Sequence, residues 1–229
     1  MEVDIQYRPS FSMGIVSLAP HEEVRVESGA MVSMSSEITV ETKATGGLLK
    51  SLSRSLLGGE SFFMNTFKAS ARGGQIMVAP ALPGDLYMLN LVNERFMVQS
   101  GGFVAAEMSI NVDTKWSGAK TFFASEGFIM LSCSGSGKLL VSSYGAIHEV
   151  TLSPNQVFTV DSGHIVAFTE GMGFKVRPIG GIKSTLFSGE GLVVDLTGPG
   201  RVLLQTRSAQ AFISWLIPKL PKSSGGSSD

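Results

Sequence analysis

Few residues in this chain are of a type that carries chemistry. Cys133 is the only cysteine, and the histidines are His21, His148 and His164. Cys133 ends the apolar run Ile129-Met130-Leu131-Ser132-Cys133 with no base beside it in sequence. A lone thiol in such a run behaves as a small hydrophobe rather than a nucleophile. His148-Glu149 and His164 could meet in space, yet no H-x-E-x-H or C-x-x-C spacing supports a metal centre. Gly189-Glu190-Gly191 and Gly198-Pro199-Gly200 open no helical stretch and are followed by no Gly-Lys-Ser/Thr, so they read as turns rather than phosphate loops. Glu60, Glu126 and Glu190 are the most regular candidates, spaced 66 and then 64 residues apart. A rotational repeat would bring these carboxylates to equivalent places, where each bonds amides of its own glycine turn. Arg207 reads as a structural ion-pair partner. Catalytic residues, metals and cofactors are therefore expected to be none.

The elements that position these residues are announced by a phrase that occurs three times. Val26-Glu27-Ser28-Gly29-Ala30-Met31-Val32 returns as Val98-Gln99-Ser100-Gly101-Gly102-Phe103-Val104 and as Val160-Asp161-Ser162-Gly163-His164-Ile165-Val166. The pattern V-x-S-G-x-x-V reads as strand, tight turn, strand, with Gly29, Gly101 and Gly163 at positive φ. His164 falls where the other copies have Ala30 and Gly102, the place of a surface turn residue. A second phrase, Glu60-Ser61-Phe62-Phe63, recurs as Glu126-Gly127-Phe128-Ile129 and Glu190-Gly191-Leu192-Val193, each opening a strand and leading to a glycine turn. Such internal repetition predicts a repeat-built β architecture. Grouping each glutamate phrase with the V-x-S-G that follows it leaves the third unit incomplete, so the copy at 26–32 is expected to complete it in a closed pseudo-threefold arrangement.

Alternation in 3–8 and 11–18, the Val24/Val26 pair and Ile38-Thr39-Val40 all predict strands, because branched side chains pack well on a pleat. Residues 46–59 differ. Leu48, Leu49, Leu52 and Leu56 form a helical stripe with Lys50 and Arg54 off its centre, and glycines stand at both ends. This insertion is expected to protrude as a short helix that caps the β core or rests on a membrane. Ser208 is a candidate N-cap for a helix to Ile217, with Phe212, Trp215 and Leu216 on one face and Pro218 and Pro221 ending it. The Ser/Gly-rich stretch 222–229 is expected to be disordered, leaving 1–221 as a single β domain.

The chain has 229 residues, of which 43% are hydrophobic and 16% charged, with a net charge of −1. That charged fraction is below the roughly 25% of an average domain, as for a surface partly covered by another subunit or a membrane. The net charge opposes a chain-wide nucleic-acid footprint. One cysteine permits no intrachain disulfide, which fits a reducing compartment. No apolar run of spanning length and no leader at Met1-Glu2-Val3-Asp4 are visible, so the expected address is the cytoplasm.

Gly58-Gly59-Glu60-Ser61-Phe62-Phe63-Met64-Asn65, Ala79-Pro80 with Pro83-Gly84-Asp85, Gly189-Glu190-Gly191-Leu192-Val193, and Gly198-Pro199-Gly200 with Leu204-Gln205-Thr206-Arg207 resemble the altered-inheritance-of-mitochondria 24 family from about residue 5 to 221. The resemblance implies an all-β fold like that of the tryptophan RNA-binding attenuation protein, a sandwich or prism of duplicated units that assembles into rings or trimers. Members occur widely in bacteria and archaea, and a fungal mitochondrial relative is tied to organisation of the inner membrane. No catalytic activity is established for the family. The expectation is a non-enzymatic, self-assembling scaffold, trimeric first and hexameric second, acting through protein or peripheral membrane contacts. The alternative is a binding module for a small molecule or RNA in clefts between repeats or subunits. RNA ranks low, because no regular row of Lys or Arg with interleaved aromatics is present.

Overall fold

A computed structural model describes residues 1–41, 62–113, 129–179 and 192–221. These residues are mostly β, as the alternation of valines predicts. Three successive stretches of the chain repeat one pattern of antiparallel pairing.

The first unit contains β2 (Met13–Leu18), β3 (Glu23–Glu27), β4 (Met31–Met34), β5 (Ile38–Glu41), β6 (Met64–Ala69) and β7 (Gly74–Val78). β2 and β4 flank β7, while β3 and β5 flank β6. An extra strand, β1 (Glu2–Gln6), lies on the far side of β2. The second unit fuses strands: β8 (Leu86–Gln99) and β11 (Met130–Ser142) are long enough to supply two each. Residues 86–91 of β8 pair with 137–142 of β11, and 94–99 pair with 130–135. β9 (Phe103–Glu107) joins the later half of β11 and β10 (Ile110–Asp113) joins the earlier half. Gly135 and Gly137 sit at the break between the halves at φ +138° and +154°, where a Cβ would lie 2.4 Å from the Ser109 carbonyl oxygen or hydroxyl respectively. Only glycine permits that close approach. In the third unit β12 (Ile147–Leu152) and β14 (Ile165–Thr169) flank β17 (Gly200–Gln205), while β13 (Val157–Asp161) and β15 (Gly173–Pro178) flank β16 (Leu192–Thr197).

The repeat boundaries differ from the expected grouping. Each unit holds its own V-x-S-G phrase, between its second and third strands, followed by the approach to its fifth strand where the glutamate phrase lies. The copy at 26–32 therefore completes the first unit and not the third. The last valine of each phrase is a bulge: the ladder skips Val32 between Met31 and Ser33, Val104 between Phe103 and Ala105, and Val166 between Ile165 and Ala167.

The turns themselves are of two kinds. Ser100–Gly102 and Ser162–His164 are single 3₁₀ turns, closed by amides of Phe103 and Ile165 on the carbonyls of Ser100 and Ser162. Gly101 and Gly163 consequently stay out of the left-handed region, contrary to expectation. Only Gly29 enters it, at φ +94°, in a turn of the same span set one position earlier, where the Ala30 amide bonds the Glu27 carbonyl.

Neighbouring units share strands' edges. β3 pairs with β9, and the later half of β8 pairs with β14, building one ten-stranded sheet. Three cores form, around Phe67 and Ile76, around Phe96 and Phe103, and around Phe168 and Val202, and each runs across a seam: Val104 and Leu140 join the first, Val166 and Leu203 the second, and Met97 the third. Phe67, Phe96, Phe103 and Phe168 are almost wholly buried, each a burial that stabilises by about 1.5–3 kcal/mol. The expected closure of the three units on themselves is absent: β4 and β13 form no ladder with one another.

The C-terminal helix α1 (Ala209–Leu216) forms as its sequence predicts, with the Ser208 hydroxyl accepting from the Ala211 amide. It is not buried against its own chain. Phe212, Ile213 and Trp215 are exposed, and Phe212 touches the fold through an edge contact with Tyr144. The insertion 46–59 lies between β5 and β6 outside the described residues, as does the tail 222–229.

Candidate functional site

Among the described residues, His148 and His164 are placed at opposite edges of one strand rather than side by side. His148 on β12 and Ile165, next to His164, both lie opposite Leu204, on the two edges of β17. The strand between them keeps the two backbones about two strand spacings apart, roughly 10 Å. His164 is no free surface turn residue either, since its Nδ1 lies 2.7 Å from the Gln205 carbonyl oxygen. Among the described residues no group of three or more His, Cys, Asp or Glu side chains could hold a metal ion. Cys133 is fully buried beside Phe96 and Val112. Burial pushes its thiol up to about 12, with Arg25 acting weakly the other way. Glu60, Glu126 and Glu190, and Leu48, Leu49, Lys50, Leu52, Arg54 and Leu56, all lie outside the described residues. Gly29, Gly101 and Gly163 are turn residues.

The polar residues that do converge lie across the seam between the second and third units. The Tyr87 hydroxyl donates to Glu149, and Arg201 reaches Glu94 at 3.3 Å and Glu149 at 3.7 Å. The Arg201 guanidinium stacks 4.9 Å above the Phe96 ring, a favourable placement of a cation on a π face. Arg95 grips both oxygens of Glu170 at 2.9 Å nearby. The hydrogen bond to Glu149, then burial, raises the Tyr87 phenol above its ordinary value. A phenol so held stays neutral, and every carboxylate here already has a cation or donor. The cluster is built to join two units. Sequence reasoning missed it because Tyr87 and Glu149 stand 62 residues apart and only strand register brings them together.

What remains is surface, and its unusual part is the pair of outer edges. In the second and third units the third strand is covered: Val104 is 0% and Val166 1% exposed. The equivalent Val32 on β4 is 56% exposed, with Met31 and Met34 exposed beside it. Val157 on β13 is 58% exposed. Among the described residues no strand pairs with the outer edge of β4 or of β13. Bare apolar edges of this kind invite pairing with another chain.

Comparison with known proteins points one way. The sequence pattern of the family described as mitochondrial biogenesis AIM24 matches residues 3–207. An uncharacterised protein of Streptococcus pyogenes is 27% identical over 232 residues, a match covering 98% of this chain and 93% of that protein. An X-ray crystal structure of a Streptococcus pyogenes protein, solved by a structural genomics consortium, superposes with a TM-score of 0.78 at 25% identity. It covers 96% of this chain and 99% of its own.

Proposed function

This chain belongs to the mitochondrial biogenesis AIM24 family, and from that premise we propose a non-enzymatic, self-assembling β scaffold that acts through protein or membrane contacts. We read its units as modules of the type found in the tryptophan RNA-binding attenuation protein. The observation that carries the proposal is the contrast between Val32 and its counterparts Val104 and Val166. The same position is solvent-facing only where its unit lacks a neighbour. Apolar edge residues gain roughly 25 cal/mol for each Å² covered, so a partner at that edge is favoured. The polar cluster at Tyr87 supports no rival reading as a ligand site, since its members satisfy one another.

In this reading the scaffold is a closed homo-oligomer, a trimer before a hexamer, and the leucine-rich 46–59 stretch is its membrane contact. Leu48, Leu49, Leu52 and Leu56 supply apolar area and Lys50 and Arg54 supply charge for anionic headgroups. Light scattering at micromolar concentration tests the first part. A mass of three or six chains is expected, and a monodisperse species at 24.2 kDa overturns the reading. Co-sedimentation with vesicles containing anionic lipid tests the second, where deletion of residues 47–57 is expected to abolish binding and leave the β fold intact.

A further inference from the structure

Two seams join units within this chain, and they have the same register. In the first, Val24, Arg25 and Val26 of β3 face Glu107, Ala106 and Ala105 of β9. In the second, Phe96, Met97 and Val98 of β8 face Thr169, Phe168 and Ala167 of β14. Counted from the valine that opens each V-x-S-G phrase, both seams set that valine opposite the residue seven places along the next unit's phrase: Val26 opposite Ala105, and Val98 opposite Ala167. Both also set the residue two places before it opposite the one nine places along. The rule is obeyed although the residues at the seams differ, Arg25 and Met97 for example standing at one position.

One strand of each kind is left without its seam. β13 is the second strand of the third unit, and no third strand lies against it. β4 is the third strand of the first unit, and no second strand lies against it. The shared count sets Val160 opposite Ser33, Thr159 opposite Met34 and Phe158 opposite Ser35. The bulge that precedes the seam on β9 and β14 is present on β4 as well, at Val32.

We propose that β13 of one copy of this chain pairs antiparallel with β4 of a second copy in this register, linking copies head to tail. The inference rests on the self-assembly reading and names its surface. The partner is a second copy because both halves of a seam whose fit is already realised twice are carried by each chain. An unrelated extended peptide would meet only one edge and would have no bulge to match. The two edges are different surfaces, so the contact is heterologous: every copy offers one of each, and the series closes into a ring. Pairing covers Val32 and Met34, whose counterparts Val104 and Val166, and Ala106 and Phe168, are buried in the internal seams.

Two edge variants of the full chain test the pairing. Val32→Glu with Met34→Glu places like charges on β4, and Val157→Glu with Thr159→Glu does so on β13. All four residues are solvent-facing, so circular dichroism is expected to stay native. Each variant alone is expected to fall to 24.2 kDa in light scattering. Mixed, they are expected to form a one-to-one pair of twice that mass and nothing larger, because each retains the one edge the other has lost. Independently, Met34→Cys with Thr159→Cys in one chain, oxidised with copper phenanthroline, is expected to give disulfide-linked multimers on a non-reducing gel, and Thr39→Cys with Thr159→Cys is expected to give none. If the native chain is oligomeric and both edge variants keep its mass, the edge assignment is wrong and self-assembly stands. A disulfide formed within single chains likewise overturns head-to-tail pairing. A native chain at 24.2 kDa overturns this inference and the scaffold reading together.

Discussion

Arg8 holds both oxygens of Asp85, its Nε 2.8 Å from Oδ1 and its Nη2 2.9 Å from Oδ2. The pair ties the loop between β1 and β2 to the residue just before β8, and so the first unit to the second. Asp85 is buried, and it also accepts from the Ser12 hydroxyl and the Leu86 amide. Burial pushes its carboxyl up, but the hydrogen bonds from Arg8, Ser12 and Leu86 outweigh that and leave it below the ordinary carboxylate range. A depressed value means stability that is present above the unfolded pKa, about 3.9, and lost as pH falls through the lower folded value. The urea midpoint of the native chain is therefore expected to drop more steeply below about pH 4 than that of Asp85→Asn. Asp85→Ala is expected to cost about 1–3 kcal/mol at neutral pH, less than for a fully buried pair because Arg8 is half exposed. Equal acid sensitivity of native and Asp85→Asn chains would contradict this.

The burial of Cys133 sets its reactivity. With its thiol pushed up to about 12, the thiolate that reacts is nearly absent at neutral pH. Ellman's reagent at pH 8 is expected to leave the folded chain unlabelled over minutes and to label one thiol per chain in denaturant. Rapid labelling of the folded chain would show that Cys133 is reachable.

Three glycines should rank by what surrounds them. A Cβ at Gly84 would lie 1.7 Å from the Ser143 carbonyl oxygen, which is backbone and cannot yield, so Gly84→Ala is expected to prevent stable folding. Gly29→Ala has open space but a φ of +94°, a strain of order 1–3 kcal/mol. Gly101→Ala meets nothing within 4 Å and needs no left-handed backbone, so it is expected within about 0.5 kcal/mol of neutral. Thermal midpoints of the three variants give the order directly, and a Gly101→Ala as damaging as Gly29→Ala would refute it.

Helix α1 should unfold by itself. Its Ser208 cap is worth about 1 kcal/mol, and no residue of the helix is buried in the chain. In a Trp116→Phe background, where Trp215 is the remaining tryptophan, Ser208→Ala is expected to change Trp215 emission and helical ellipticity while the global thermal midpoint stays within a degree or two. A matching fall in the midpoint would mean that the helix is part of the core.

Much of the architecture can be read from valine spacing. Val24 and Val26 alternate on one strand, and the phrase V-x-S-G-x-x-V marks the same corner of every unit. The starting point of the unit cannot be read that way, because a periodic pattern has the same spacing from whichever phrase one begins. The turn conformation was also hidden. Ser28-Gly29 and Ser100-Gly101 are the same letters, yet one makes a left-handed turn and the other a 3₁₀ turn, decided by the strands on either side. The seam residues Tyr87, Arg201 and Glu149 carry no local signal at all, since their meeting depends on pairing between units. The histidines failed for the same reason in reverse: strand β17, invisible as a spacer in sequence, stands between them.

Because the β3–β9 and β8–β14 seams lie within one polypeptide, dilution cannot separate them. Their partners meet at an effective concentration set by short linkers, in the millimolar range or above. Covalent linkage also frees each seam to evolve alone. In a ring of identical single units every substitution is copied to every seam, whereas here Arg95–Glu170 and Arg201–Glu94 brace one seam and an Arg25 hydrogen bond to the Met108 carbonyl serves the other. Stiffness can thus be graded along the chain, since each joint carries its own salt-sensitive charge pairs, Arg8–Asp85 between the first and second units and Arg95–Glu170 with Arg201–Glu94 between the second and third.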